Sequence, residues 1–241
     1  MAGSAIVLGV GAERGLGAAI ARRFARTGLH TVVSGRTQEK LDAVAGTIRS
    51  AGGSAEARVA DVTEAGAMDA LFADAVARGP VDAVIYNVGN NAIIPFAELT
   101  ADQFEQFWRI CCLGGMLVAK SAMPILADQG HGSMLFTGAS ASMRGRPSFA
   151  HFAAAKAGLR MLAQSLAREY GPQGVHVGHV IVDGVIDGDM VRDRFGDYLE
   201  KLGADGSLDP DAIAENFWHL HTQPRSAWTH ELDLRPFKEN W

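Results

Sequence analysis

The chain has 241 residues, 48% of them apolar and 20% charged, and 22 Lys and Arg against 27 Asp and Glu give a formal charge of −5. This length holds one large domain or two small ones, and the composition excludes disordered, collagen-like and disulfide-stapled chains. No basic run or basic-aromatic stripe tracks a phosphate backbone, so no nucleic acid partner is expected.

The two cysteines, Cys111 and Cys112, are neighbours. A bond between them would close a strained ring, so a reduced, cytoplasmic setting is expected. Met1-Ala-Gly-Ser has no positive segment and the apolar run behind it is short, which speaks against a signal sequence. No apolar stretch reads as a span of ~20 residues, so no membrane partner is expected.

In chain order, Ala5–Val10, Thr31–Ser34, Ala57–Ala60, Val81–Ile85, Ser133–Thr137, Val175–Val182 and Glu231–Leu234 read as strands, with amphipathic or alanine-rich helices between them. Short apolar strands alternating with helices predict an α/β fold, a doubly wound Rossmann sheet of about seven parallel strands with helices on both faces. No linker, repeat or low-complexity tract divides it, so residues 1–241 are expected to form a single domain. Such sheets bind ligands at the carboxyl ends of their strands, where strand order reverses.

The first strand runs into Gly11-Ala-Glu-Arg14-Gly15-Leu16-Gly17 and then a helical stretch. Glycines let the backbone approach a pyrophosphate, and the free N–H groups of the new helix attract its charge. The second strand ends at Ser34-Gly35-Arg36-Thr37. An acidic residue here holds a ribose 2′-OH, whereas arginine accommodates a 2′-phosphate, so Arg36 with Arg14 points to NADP(H) rather than NAD.

Asp61-Val62 follows the third strand, Asn87-Val-Gly89 the fourth and Asp183-Gly184 the sixth, and Lys156 lies in an alanine-rich helix. Together with Gly11, Gly15 and Gly17, these residues resemble the short-chain dehydrogenase/reductase superfamily along nearly the full chain. The resemblance implies that Asp61 and Val62 contact adenine, that Asn87, Gly89 and Gly184 line the cofactor, and that Lys156 holds the nicotinamide ribose.

The catalytic positions depart from that pattern. The superfamily's Tyr-x-x-x-Lys places both side chains on one helix face, where the ammonium lowers the phenol's pKa. Here the segment is His151-Phe152-Ala-Ala-Ala-Lys156, and none of the three tyrosines, Tyr86, Tyr170 or Tyr198, stands four residues before Lys156. Thirteen residues before Phe152, where the serine belongs, lies Ala139, with Ser140 and Ser142 close behind. The asparagine position is read as Cys112, and the threonine position after the sixth strand is Gly188.

A proton route must therefore use other groups. Asp183 is a candidate because a carboxyl buried beside Val182 and Val185 would have its pKa raised, and Ser140 or Ser142 could orient an oxygen. His151 points about 100° away from Phe152, so it does not replace that side chain. His176, His179, His219, His221 and His230 lack a metal-like arrangement, and no metal is assigned.

Three readings stay open. The first is an NADP(H)-dependent oxidoreductase acting on a small carbonyl, alcohol or activated C=C substrate with a non-standard proton donor. The second is a lyase, isomerase or dehydratase using Asp183, and the third is a catalytically silent NADP(H)-binding protein. The segment from about 187 to 209 is expected to line a small-molecule substrate pocket. The alanine-dense helix Pro147–Arg168 implies, by the resemblance, a homodimer or homotetramer.

Overall fold

In a computed structural model, residues 3–89 and 91–239 are described. Met1 and Ala2, read above for a signal sequence, lie outside them. The strands are β1 (Ser4–Leu8), β2 (His30–Gly35), β3 (Ser54–Val59), β4 (Val81–Tyr86), β5 (Ser133–Ala139), β6 (His176–Val182) and β7 (Glu231–Leu234). They form one sheet of order β3-β2-β1-β4-β5-β6-β7, and all neighbours are parallel. The helices are α1 (Leu16–Ala25), α2 (Gln38–Ser50), α3 (Ala65–Arg78), α4 (Ala101–Trp108), α5 (Gly114–Gln129), α6 (Ala150–Tyr170), α7 (Asp189–Leu202) and α8 (Pro210–His221).

The central strands β1, β4 and β5 are largely apolar and buried because both faces are covered. On β1, Ala5 and Val7 join α1, α2 and α8 in one core, while Ile6 and Leu8 join α3, α5 and α6 in the other. This split follows from the alternation of side chains along a strand. Phe24 meets Trp218 edge-on at 5.2 Å between ring centroids, which pins α1 to α8 and fixes the helix that leaves the glycine loop. Such a pair adds ~1 kcal/mol beyond its area burial.

Three expectations shift. The third strand begins at Ser54 rather than Ala57 because it is the sheet edge. There Glu56 pairs with Arg58 and Arg78, so charge marks the strand instead of an apolar run. The alanine-rich helix starts at Ala150, after Ser148 adopts φ +67°.

The third shift concerns α4 and α5. They are joined through a π-helical segment, Arg109–Leu113, into one helix, Ala101–Gln129, long and apolar enough by length and composition to cross a membrane. Its buried residues Gly115, Val118, Ala119, Ala122, Met123 and Leu126 recur at helical spacing and face the sheet, as in a core helix.

Candidate active site

After β1 the chain turns to β2 and β3 on one side of the sheet and later to β4 on the other, so the crevice opens between β1 and β4. It is a cleft of about 790 Å³.

Two glycines are required by close approach. Gly9 has φ +89°, and a Cβ added there would lie 2.7 Å from the Asn87 backbone, while one on Gly17 would lie 2.7 Å from the Gly9 carbonyl oxygen. Gly9 precedes the motif read from the sequence and was not singled out. At Gly11 an added Cβ meets no described atom within 4 Å, so this part of the loop opens into the cleft. Asn87 ties the loops together: its Nδ2 donates to the Gly9 carbonyl at 3.3 Å, and its Oδ1 accepts from the Thr137 hydroxyl at 3.0 Å. Asp61 Oδ1 accepts from the backbone N–H and the hydroxyl of Thr63, and these bonds hold its carboxyl below the usual range.

Every residue expected to hold a dinucleotide lines this cleft: Gly11, Arg14, Gly15, Leu16, Gly17, Arg36, Asp61, Val62, Asn87, Gly89, Lys156 and Gly184. Lys40, one helical turn after Arg36, lines it as well and was missed. Only its spacing from Arg36 could have flagged it.

Arg14 lines the cleft with its guanidinium paired to Asp187 at 3.0 Å. Arg36 and Lys40 line it as well.

At the other end, Lys156 Nζ donates to the Thr137 carbonyl at 2.9 Å and lies 5.8 Å from the centre of the Phe152 ring. Burial lowers its pKa, with Cys111 and Cys112 opposing that shift. Phe152 lines the cleft and packs with Cys111 and Ala155, beside Ile110, Ala139 and Ala141. Where the superfamily pattern has a phenol and a hydroxyl, there is an apolar cluster.

Several candidates do not converge on this point. Asp183 is 2% exposed, but its carboxylate is held by Arg144 at 3.0 Å through both oxygens and by Arg235 at 3.5 Å. Its neighbours Val182 and Gly184 line the cleft and it does not, because consecutive side chains on extended backbone face opposite sides. Its carboxylate is held in a shared ion pair with two guanidinium groups. Ser142 is also buried away from the cleft; its Oγ accepts the Ala139 N–H at 3.1 Å and closes a short turn. Ser140 does line the cleft.

Cys112 turns its sulfur toward Gly158, and it is Cys111 that packs on Phe152. The π-helical segment shifts the register here, and nothing in the sequence signals it. His151 is buried against the Phe107 ring, 4.2 Å between centroids, and is not a cleft residue.

The tyrosines are remote from the chemistry. Tyr86 is fully buried and donates its hydroxyl to the Ile110 carbonyl, and burial pushes its pKa well up. Tyr198 and Phe195, in the segment 187–209, are 51% and 56% exposed and lie outside the cleft lining. Of the segment 187–209, the cleft is lined by Gly188, Asp189, Met190, Val191, Asp193 and Arg194.

The fold is a doubly wound Rossmann-type sheet with a glycine-loop cleft at its switch point. Residues 5–198 match the short chain dehydrogenase family, and the chain belongs to it. The chain is 30% identical to oxidoreductase asL5 of Sarocladium schorii over 195 residues, 80% of this chain and 77% of that protein. A short-chain dehydrogenase structure from Rhodopseudomonas palustris superposes with TM-score 0.83 at 35% identity, covering 97% of this chain and 99% of that one. A metagenomic short-chain oxidoreductase in complex with NADP superposes with TM-score 0.82 at 27% identity, covering 97% of each chain.

Proposed function

We propose that this protein is an NADP(H)-dependent oxidoreductase acting on a small organic carbonyl, alcohol or activated C=C substrate, in which Lys156 and Ser140 serve proton transfer in place of the usual tyrosine and serine. The observation that carries the reading is a complete dinucleotide cleft with Arg36 and Lys40 at one end and a buried ammonium at the other. The residues fit the cofactor: Gly17 tolerates no Cβ, and Gly11 leaves the loop open on the cleft side. The NADP carried by a structural relative of similar fold supports the same choice.

When bound, the nicotinamide supplies or accepts the hydride. The chain's task is to orient the substrate beside it and to move one proton. Among the described residues Lys156 Nζ donates to the Thr137 carbonyl, and its other N–H bonds would serve a ribose hydroxyl and the cleft. Desolvation makes its ammonium a readier donor than an exposed lysine. Ser140, which lines the cleft, would hold a substrate oxygen. In C=C reduction the proton goes to carbon, so the apolar wall formed by Phe152 and Ile110 suits that chemistry better than it suits a ketone.

The test is NADPH oxidation, followed at 340 nm, across ketones, enones and enoyl thioesters. Turnover that disappears in Lys156→Met, with NADPH preferred over NADH and that preference lost in Arg36→Asp, supports the reading. Tight NADPH binding with no turnover anywhere in the panel favours the silent binder instead, a reading supported by the packing of Phe152 against Cys111. The lyase reading relied on Asp183, which is committed to Arg144 and Arg235.

A further inference from the structure

The segment between β6 and α7 is laid directly onto the glycine loop. Asp189 Oδ2 accepts the backbone N–H of Arg14 at 3.1 Å, and the Asp189 N–H donates to the Arg14 carbonyl at 3.0 Å. Asp187 grips the Arg14 side chain twice, through Oδ2 at 3.0 Å and through its backbone carbonyl at 3.2 Å. Arg192 closes on the same Oδ2 at 2.6 Å, and these two guanidinium groups hold the Asp187 carboxyl below the usual range. Between the two aspartates, Gly188 fits so closely that an added Cβ would lie 2.6 Å from the Arg14 carbonyl oxygen. The far end is tied down too, as the Asp187 N–H donates to the Leu208 carbonyl and the Leu208 N–H to the Val185 carbonyl, both at 2.8 Å.

The place matters because Arg14, Gly15, Leu16, Gly188 and Asp189 all line the cleft. Helix α1 has no acidic residue in its first turn and no side-chain cap at Gly15. Its positive end and the loop N–H groups attract an anion. The carboxylate of Asp189 sits on a backbone N–H of that loop, that of Arg14. A dinucleotide phosphate seeks the same groups, and two anions at one set of N–H donors repel each other.

We propose that Asp189, held in place by the Arg14–Asp187–Arg192 ion pairs, is a built-in competitor for the cofactor's phosphate and thereby sets cofactor affinity. The inference rests on the NADP(H) reading. It makes segment 187–208 a clasp that must release the Arg14 N–H when cofactor binds. It also accounts for an acidic pair beside an anion site, which cofactor binding alone would disfavour.

The test is NADPH affinity of the full chain by cofactor fluorescence, for wild type, Asp189→Asn, Asp189→Ala, Asp187→Asn and Asp193→Asn. Asp193 lines the same cleft without a bond to the loop and reports on general charge. Removing the Asp189 charge is expected to tighten NADPH at least about fivefold, with a smaller gain from Asp187→Asn and the smallest from Asp193→Asn. Hydrogen exchange at the Arg14 amide in cofactor-free protein should also quicken in Asp189→Ala. Unchanged or weaker binding in both Asp189 variants, or an equal gain from Asp193→Asn, overturns the proposal. If wild type fails to bind NADPH while Asp189→Ala binds it, the competition is confirmed. If neither binds, the cofactor reading itself has failed and the competition falls with it.

Discussion

At the residue scale the site turns on what stands four residues before Lys156. Phe152 keeps the ring and loses the oxygen, and Ala139 loses the hydroxyl facing it, so the two changes together remove one proton path. Restoring both tests whether the pocket still places a ketone beside the cofactor. Phe152→Tyr with Ala139→Ser is expected to raise ketone reduction by about 10²–10⁴-fold, the usual worth of positioned acid–base catalysis, measured as kcat/KM. Asp183 makes the opposite case. Removing its charge leaves Arg144 and Arg235 without their shared carboxylate. Asp183→Asn should therefore cost about 3 kcal/mol in denaturant unfolding, the low end for a broken buried pair because Arg144 is partly solvated. Turnover of the folded fraction should persist, and its complete loss would return Asp183 to the chemistry.

At the element scale, the β1 turn positions α1 over the cleft, and its glycines are not equivalent. Gly17 meets the Gly9 carbonyl, a rigid backbone group, whereas Gly11 faces open space. Gly17→Ala is expected to lower stability by about 1–3 kcal/mol through overpacking and to abolish NADPH binding. Gly11→Ala should keep its thermal midpoint, and a matching loss of stability in both variants would contradict this distinction. In the segment joining α4 to α5, a π-helical turn, Ile110 lines the cleft and Cys111 packs against Phe152.

At the scale of the whole molecule, buried histidines set the acid limit. Burial lowers His179 and His221 to a pKa of about 4 each, and for His179 it outweighs the opposing pull of Glu231. Their folded pKa lies below the unfolded value near 6.5, so the stability they lend is present above that pH. It is lost as pH falls from about 6.5 toward 4. Thermal midpoints measured across this window should drop steadily, and His179→Asn, which keeps a donor for Glu231, should flatten the slope. Assembly belongs to this scale as well. Phe104, Trp108, Met116 and Met161 are at least 36% exposed on α4, α5 and α6. Light scattering is expected to give the mass of a dimer or tetramer, reduced by Trp108→Glu with Met161→Glu; a monomeric wild type would contradict this.

How much of this was legible in the sequence depends on the range of the interactions involved. Strand and helix periodicity, the glycine turn and Arg36 are local, so the doubly wound fold and the loops that line the cleft could be read directly, and the resemblance to the superfamily pattern is what makes Phe152, four residues before Lys156, stand out. The side to which Asp183 points was legible in principle from the alternation of an extended chain. The rest was decided by contacts between distant parts of the chain. Arg14 meets Asp187 across 173 positions, Asp183 meets Arg144 across 39, and the register of Cys111 depends on one irregular turn packed against α6. Local periodicity and spacing therefore determined the scaffold, whereas only the tertiary structure decided which charges are spent on one another and which face the cleft. Ion pairs between distant segments leave no periodic trace in the chain.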